Sequence, residues 1–328
     1  MKILIFGTLE SEQQEIREYL CKNGLEQVDF KEGVLNMETV EAAKGYDIVW
    51  IITNSIIKEK EAEALARCGV KYMVTRSTGT DHLSVPALKK YGICAANVSV
   101  YSTGAVSEHT MMLLLALLRK LNYSTKNIKN GNYTLENVMG RQLSSLTVGV
   151  IGCGKIAIST IEMLHGFKCR ILVNAPHEKD RVKDMVTFTN QDTLFRESDV
   201  ILLHCPAKQD NYHLIDENTI KKMKDGAILI NTARGGLVDA KAVLEALKSG
   251  KLSAYGFDVY EREDEYIRTK NMDYKDEVFN ELCDRDDVIY TSHIAFYTDV
   301  AIKSLNEETM KNVISYAVNG YSENEIVK

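Results

Sequence analysis

Short apolar runs alternate with amphipathic segments along almost the whole chain, and they do so in two successive series. The first predicts strands at Ile3–Phe6, Ile48–Ile52, Tyr72–Thr75 and Ile93–Ala96, with helical patterns around Gln13–Cys21 and Glu59–Cys68. The second begins at Leu146 and predicts strands at Thr147–Ile151, Arg170–Val173, Val200–His204, Ala227–Ile230, Ala254–Phe257 and Val288–Tyr290. Helical segments at Lys155–Leu164, Asn218–Met223 and Ala240–Leu247 separate most of these strands. Such alternation implies right-handed crossovers and parallel sheets covered on both faces. Two series predict an α/β chain of two doubly wound parallel-sheet domains.

Composition bounds the same picture. The 328 residues are enough for about two domains, each with a core of its own. A net charge of −6 argues against a general nucleic-acid binder, which needs a basic face. The seven cysteines are odd in number and share no short spacing, so they form neither a zinc pattern nor a disulfide framework. They point to a reducing, cytoplasmic setting. The opening run Met1–Gly7 meets Glu10, Glu12 and Glu15 at once and reads as a buried strand rather than an export signal. The most apolar stretch, Met111 to Leu118, is far short of the ~20 residues of a membrane span. No Pro- or Ser-rich linker separates the halves. The helical stretch Thr103–Leu121 is placed to cross between them, and a last helix at about Ala301–Ala317 to return to the first, making that domain discontinuous.

The chemistry concentrates in the second series. Thr147 to Ala157 reads strand, then G-x-G-x-x-A, then helix, the context of a dinucleotide-binding turn. Gly152 permits the tight turn, Gly154 lets backbone approach a pyrophosphate, and the helix start offers N–H groups and its positive dipole end. The next strand ends at Asn174, where an acid would hold the adenosine ribose and exclude a 2′-phosphate. Asn174 can bond a ribose but does not repel that phosphate. NAD is the expected cofactor, with NADP not excluded. Further strand ends carry Leu203-His-Cys-Pro206, Asn231-Thr-Ala-Arg234-Gly-Gly, Asp258-Val-Tyr-Glu261-Arg-Glu263 and Thr291-Ser-His293-Ile-Ala-Phe296-Tyr. An Arg, a carboxylate and a His thus end three strands of one sheet, where ligands bind in open α/β folds.

These motifs, in order over nearly the whole chain, resemble the D-isomer-specific 2-hydroxyacid dehydrogenase family, and most closely its D-lactate dehydrogenase-like branch. The resemblance implies a Rossmann cofactor domain (100–296) inserted into a flavodoxin-like substrate domain (1–99 and 297–328). It assigns the carboxylate-binding Arg to Arg234, the acid/base to His293 and its supporting acid to Glu263, with Glu261 as the competing choice. Thr78 and Gly79 are expected on the substrate carboxylate, and Tyr101 and Phe296 around the pocket. Cofactor contacts are expected from Gly152, Gly154, Lys155, Ile156, Asn174, Cys205, Pro206, Asn211, Thr232, Ala233 and Asp258, with no metal. The family also implies a homodimer through the cofactor domains.

Chemistry supports these roles independently. Reducing a 2-keto acid places a hydride on C2 while negative charge grows on the carbonyl oxygen. A protonated His can neutralise that oxygen, and its neutral form can take the alcohol proton in reverse. A carboxylate in contact favours the charged ring. Arg presents a planar two-pronged fork to the substrate carboxylate. Two departures stand out: Ser99 and Ser292 occupy positions where the family usually has Pro. Cys153 lies beside a helix start, which can lower a thiol pKa and would let oxidation or alkylation block cofactor binding, but an inert packing residue is the preferred reading. Alternatives within reach of the same residues are a branched-chain or aromatic 2-keto acid reductase, and a non-enzymatic NAD(H)-sensing corepressor-like protein.

Overall fold

A computed structural model describes residues 1–99, 102–263 and 275–327. The chain divides into two compact units, 1–102 with 298–328, and 103–297.

In the first unit, strands β1 (Ile3–Phe6), β2 (Val28–Lys31), β3 (Ile48–Ile51), β4 (Tyr72–Thr75) and β5 (Cys94–Ala96) form a sheet of order β2-β1-β3-β4-β5. Every named pair is parallel, and this is the flavodoxin-like order. β1 and β3 are buried along their whole length because helices cover both faces. The final helix, Asp299–Asn319, belongs to this unit and lays Met310, Val313 and Tyr316 on one face. Tyr316 stacks on Tyr72 with ring centroids 4.5 Å apart.

The second unit carries β6 (Thr147–Ile151), β7 (Arg170–Asn174), β8 (Thr187–Phe188), β9 (Val200–Leu203), β10 (Ala227–Asn231), β11 (Leu252–Phe257) and β12 (Val288–Tyr290). Their order is β12-β11-β10-β9-β6-β7-β8, parallel throughout, the doubly wound order extended by one strand. Separate apolar clusters fill its two faces.

The expected single helix Thr103–Leu121 is two helices, Thr103–Leu118 and Leu121–Lys129, broken where Lys120 adopts φ +50°. It does not cross between units. Its apolar face (Leu113, Leu114, Leu117 and Leu118 among others) is buried within the second unit. Among the described residues, no helix is long and apolar enough to cross a membrane.

Candidate active site

The last paired residues of five neighbouring strands fall in one row: Tyr290, Phe257, Asn231, Leu203 and Ile151. Adjacent parallel strands lie about 4.8 Å apart, so the loops leaving this row stand side by side at the carboxyl edge, where open α/β sheets bind ligands. Every motif singled out in the second half of the sequence leaves from that edge.

Arg234 leaves β10 through a turn fixed by Asn231. The buried Asn231 amide accepts the Ala233 N–H at 3.0 Å and donates to the Arg234 carbonyl at 2.9 Å. Thr232, 8% exposed, shares a 2.7 Å hydroxyl hydrogen bond with Thr110. The Arg234 guanidinium donates to the Ala233 carbonyl through Nη1 at 2.8 Å.

Glu263 is bonded through both carboxylate oxygens. Oε2 accepts the Tyr260 N–H at 2.9 Å, and Oε1 lies 2.7 Å from His293 Nδ1. The Nδ1 proton therefore goes to the carboxylate, leaving Nε2 as the ring nitrogen that can exchange a proton with a substrate. Beneath this pair Tyr260 donates its hydroxyl to Asp276 at 2.9 Å, and its ring packs on Phe279. Phe296 meets the His293 ring edge-on, with centroids 6.4 Å apart. The competing acid, Glu261, points elsewhere: it bonds His213 at 2.7 Å.

The loop carrying His293 is held by Asp258. That carboxylate accepts the Thr291 hydroxyl at 2.6 Å and the N–H groups of Ile294 and Ala295, both at 2.9 Å. The Asp258 carbonyl accepts the His293 N–H at 2.7 Å, so His293 sits at φ +51° in the left-handed region and is held there. His109, on helix Thr103–Leu118, bonds the Thr291 hydroxyl at 2.8 Å and lies 3.6 Å from Asp258. Burial pushes the Asp258 carboxyl up and the His109 ring down, so both favour their neutral forms more than in water. Sequence reasoning gave Asp258 only a cofactor contact and gave His109 no role. A lone His in an apolar helical run was the one available signal.

The turn after β6 fits a dinucleotide. Gly152 has φ +105°, and a side chain there would come within 2.4 Å of the His204 carbonyl. A side chain added at Gly154, just before helix Lys155–Gly166, would meet nothing within 4 Å, so there is open space beside the helix start, whose N–H groups suit a phosphate. Lys155 is exposed and Ile156 half-buried beside that opening. At the end of β7, Asn174 donates Nδ2 to the Thr189 carbonyl at 2.9 Å. Its amide oxygen remains the group able to accept a ribose hydroxyl. Of the nearby cations, Arg181 is held in a fork by Glu162 at 2.7 and 3.1 Å. Cys205 is half-buried and Pro206 exposed after β9. Asn211 shapes this loop, accepting the Lys208 N–H at 2.7 Å and donating to the Pro206 carbonyl at 2.9 Å.

Cys153 takes the packing role rather than the reactive one. It is 7% exposed, and burial pushes its thiol up rather than the helix start pulling it down. A buried neutral thiol is a packing residue. His204, half-buried, is pushed down to about 4 by burial and shares a hydrogen bond with Thr160 at 3.1 Å.

In the first unit, Thr78 and Gly79 follow β4 in a tightly bonded turn. The Thr78 hydroxyl donates to the Val98 carbonyl at 2.7 Å, and Ser77 donates to the Gly79 carbonyl at 2.7 Å. Tyr101 lies outside the described residues.

Residues 111–295 match the family described as D-isomer specific 2-hydroxyacid dehydrogenase, NAD binding domain. The chain is 35% identical to an aromatic 2-oxoacid reductase of Clostridium sporogenes (strain ATCC 15579) over 100% of its own length and 99% of the relative's. It is 33% identical to the D-lactate dehydrogenase of Escherichia coli (strain K12), over 100% of both. A solved structure of D-2-hydroxyisocaproate dehydrogenase superposes with a TM-score of 0.89 at 32% identity, over 100% of both chains.

Proposed function

This chain belongs to the D-isomer specific 2-hydroxyacid dehydrogenase family, and on that premise we propose how its own residues carry the reaction. It is an NAD-dependent oxidoreductase that interconverts 2-keto and 2-hydroxy acids. The contact of 2.7 Å between His293 Nδ1 and Glu263 carries the reading, because it leaves Nε2 as the one ring nitrogen for proton exchange.

When bound, NADH supplies the hydride that reaches C2 of the keto acid. Gly152, Gly154, the start of helix Lys155–Gly166, Asn174, Cys205, Pro206, Asn211, Thr232 and Ala233 would hold it. Arg234 clamps the substrate carboxylate with its planar fork and fixes the orientation of the carbonyl. His293 Nε2 donates its proton to the carbonyl oxygen as charge develops there. Glu263 stabilises the charged ring before transfer and orients it after. Asp258 holds the His293 loop in place. Thr78 and Gly79 are assigned to the same carboxylate through their N–H groups, which have no partner among the described residues. Phe296 borders the reacting His as a pocket wall. In the oxidative direction the neutral ring takes the alcohol proton at Nε2.

Pyruvate, giving D-lactate, is the proposed substrate, on the 33% identity with a D-lactate dehydrogenase. The 35% identity with an aromatic 2-oxoacid reductase favours phenylpyruvate as a second reading. Steady-state rates with pyruvate, a branched 2-keto acid and phenylpyruvate, each with NADH and NADPH, decide it. Preference for pyruvate supports the first reading, preference for phenylpyruvate the second, and no turnover with any overturns both.

A homodimer is proposed as well. Tyr133, Leu135 and Met139 are 79%, 89% and 85% exposed on the segment after helix Leu121–Lys129, an apolar surface a second copy would cover. Sedimentation at micromolar concentration tests this, and a monomer would refute it. The seven cysteines, all free, support a cytoplasmic setting.

A further inference from the structure

We propose that His213 and Glu261 form a second imidazole–carboxylate pair that positions both Arg234 and Glu263. The proposal rests on the catalytic assignment above. Glu261 lies two residues before Glu263 on the same turn, and its Oε2 lies 2.7 Å from His213 Nε2 and accepts the Tyr212 hydroxyl at 3.3 Å. The His213 ring stacks on Tyr212 with centroids 3.9 Å apart, and its Nδ1 lies 4.0 Å from Asp239. These are partners that hold the ring in one plane.

The backbone of His213 reaches the other functional turn. Its N–H donates to the Gly236 carbonyl at 2.9 Å, two residues after Arg234, and the residue takes φ +52° to do so. The zip continues: Ile215 N–H donates to Leu237 at 3.0 Å, and Asp239 N–H returns to Ile215 at 2.9 Å. The two turns also touch directly. A side chain at Gly235 would lie 2.1 Å from the Tyr260 carbonyl carbon and 2.4 Å from the Glu261 nitrogen. The peptide that joins Tyr260 to Glu261 therefore packs against the backbone at Gly235, just after Arg234. The N–H that Glu263 Oε2 accepts is that of Tyr260, one peptide earlier on the same turn.

His213 thus holds the Arg234 turn by its main chain and the Glu263 turn by its ring. Nothing in this arrangement requires His213 or Glu261 to touch the substrate. They are positioning residues, and a shift of about 1 Å in a catalytic group is enough to cost much of the rate. Losing the ring leaves Glu261 part-buried, at 19% side-chain exposure, without its strongest partner.

The test compares His213→Ala, His213→Gln and Glu261→Gln with the intact enzyme in 2-keto acid reduction. His213→Ala should lower kcat/KM for the keto acid about tenfold or more, while NADH affinity by fluorescence and the melting temperature stay near the parent values. His213→Gln, which keeps an N–H donor toward Glu261, should recover most of that loss. The double change His213→Ala with Glu261→Gln should cost no more than the worse single change, as expected of one unit. Kinetics within twofold of the parent, equal impairment in the Ala and Gln variants, additive losses, or losses that track melting temperature would each overturn the proposal. Glu263→Gln is measured alongside. If it too keeps full activity, the catalytic assignment has failed. If it loses activity while His213→Ala does not, only the positioning pair has failed.

Discussion

Replacing Glu263 by Gln is a near-isosteric change with a large expected effect, and the reason lies in the two donors around the carboxylate. The Tyr260 N–H reaches one oxygen at 2.9 Å, and His293 Nδ1 faces the other at 2.7 Å. An amide has a single oxygen, so only one donor can be satisfied. If the amide oxygen faces Tyr260, its NH2 group faces His293 and forces Nδ1 to accept. The neutral ring then carries its proton on Nε2 and cannot take one from an alcohol there. If the oxygen faces His293, the Tyr260 N–H meets an NH2 group and the turn must shift. Either way a charge-assisted bond is lost at a site only 14% exposed. Such bonds contribute about 1.5–3 kcal/mol. That converts to a loss of about tenfold to 150-fold in kcat, at 1.36 kcal/mol per tenfold. Absorbance at the NADH band under saturating substrate measures it, with cofactor affinity followed by fluorescence. Unchanged NADH affinity with kcat down in both directions is the expected result. A variant within twofold of the parent kcat, or one altered only in KM, would refute the reasoning.

Further outcomes follow from other parts of the fold. Gly152→Ala must place a methyl 2.4 Å from the His204 carbonyl at φ +105°; it should cost about 1–3 kcal/mol of stability and abolish tight NADH binding, read by melting and fluorescence titration. Normal affinity in that variant would show that the turn is not the phosphate site. Asn174→Asp should cut NADPH use about tenfold or more relative to NADH, because a carboxylate repels the 2′-phosphate, and an unchanged NADPH/NADH ratio of kcat/KM would argue against contact there. Burial pushes the His204 ring down to about 4 in the folded chain against about 6.5 unfolded, so the unfolded state binds more protons between those values. Its contribution, about 3 kcal/mol in full, is present above pH 6.5 and is lost as the pH falls toward 4. Urea unfolding of the parent and His204→Gln at pH 7.5 and 4.5 checks this. The stability gap between the two proteins should narrow at the lower pH, and a constant gap would contradict it.

Much of this was legible because parallel α/β chains announce themselves residue by residue. Ile3–Phe6 and Ile48–Ile51 are wholly buried strands and read as apolar runs. β2 escaped notice because Val28 is its one buried residue, and β8 is only two residues long. The break at Lys120 was hidden too, since no Gly or Pro marks it and the left-handed conformation falls on a Lys. In the candidate site, Arg234, the Asp258–Glu263 segment and His293 each follow a strand and stand out in the sequence, while the choice of Glu263 over Glu261 rests on the family resemblance. The bracing around them could not be read from the sequence. His213 meets Glu261 across 48 residues, and Asp258 meets Ile294 across 36. Such meetings depend on loop backbones, which the sequence does not spell out.

The central claim is that His293, held by Glu263, delivers the proton in NADH-dependent reduction of a 2-keto acid. Single-turnover mixing of a preformed NADH complex of His293→Gln with excess 2-keto acid tests it most directly. The account predicts normal NADH binding and a hydride-transfer phase slowed by at least about two orders of magnitude. A transfer phase at the parent rate would contradict it.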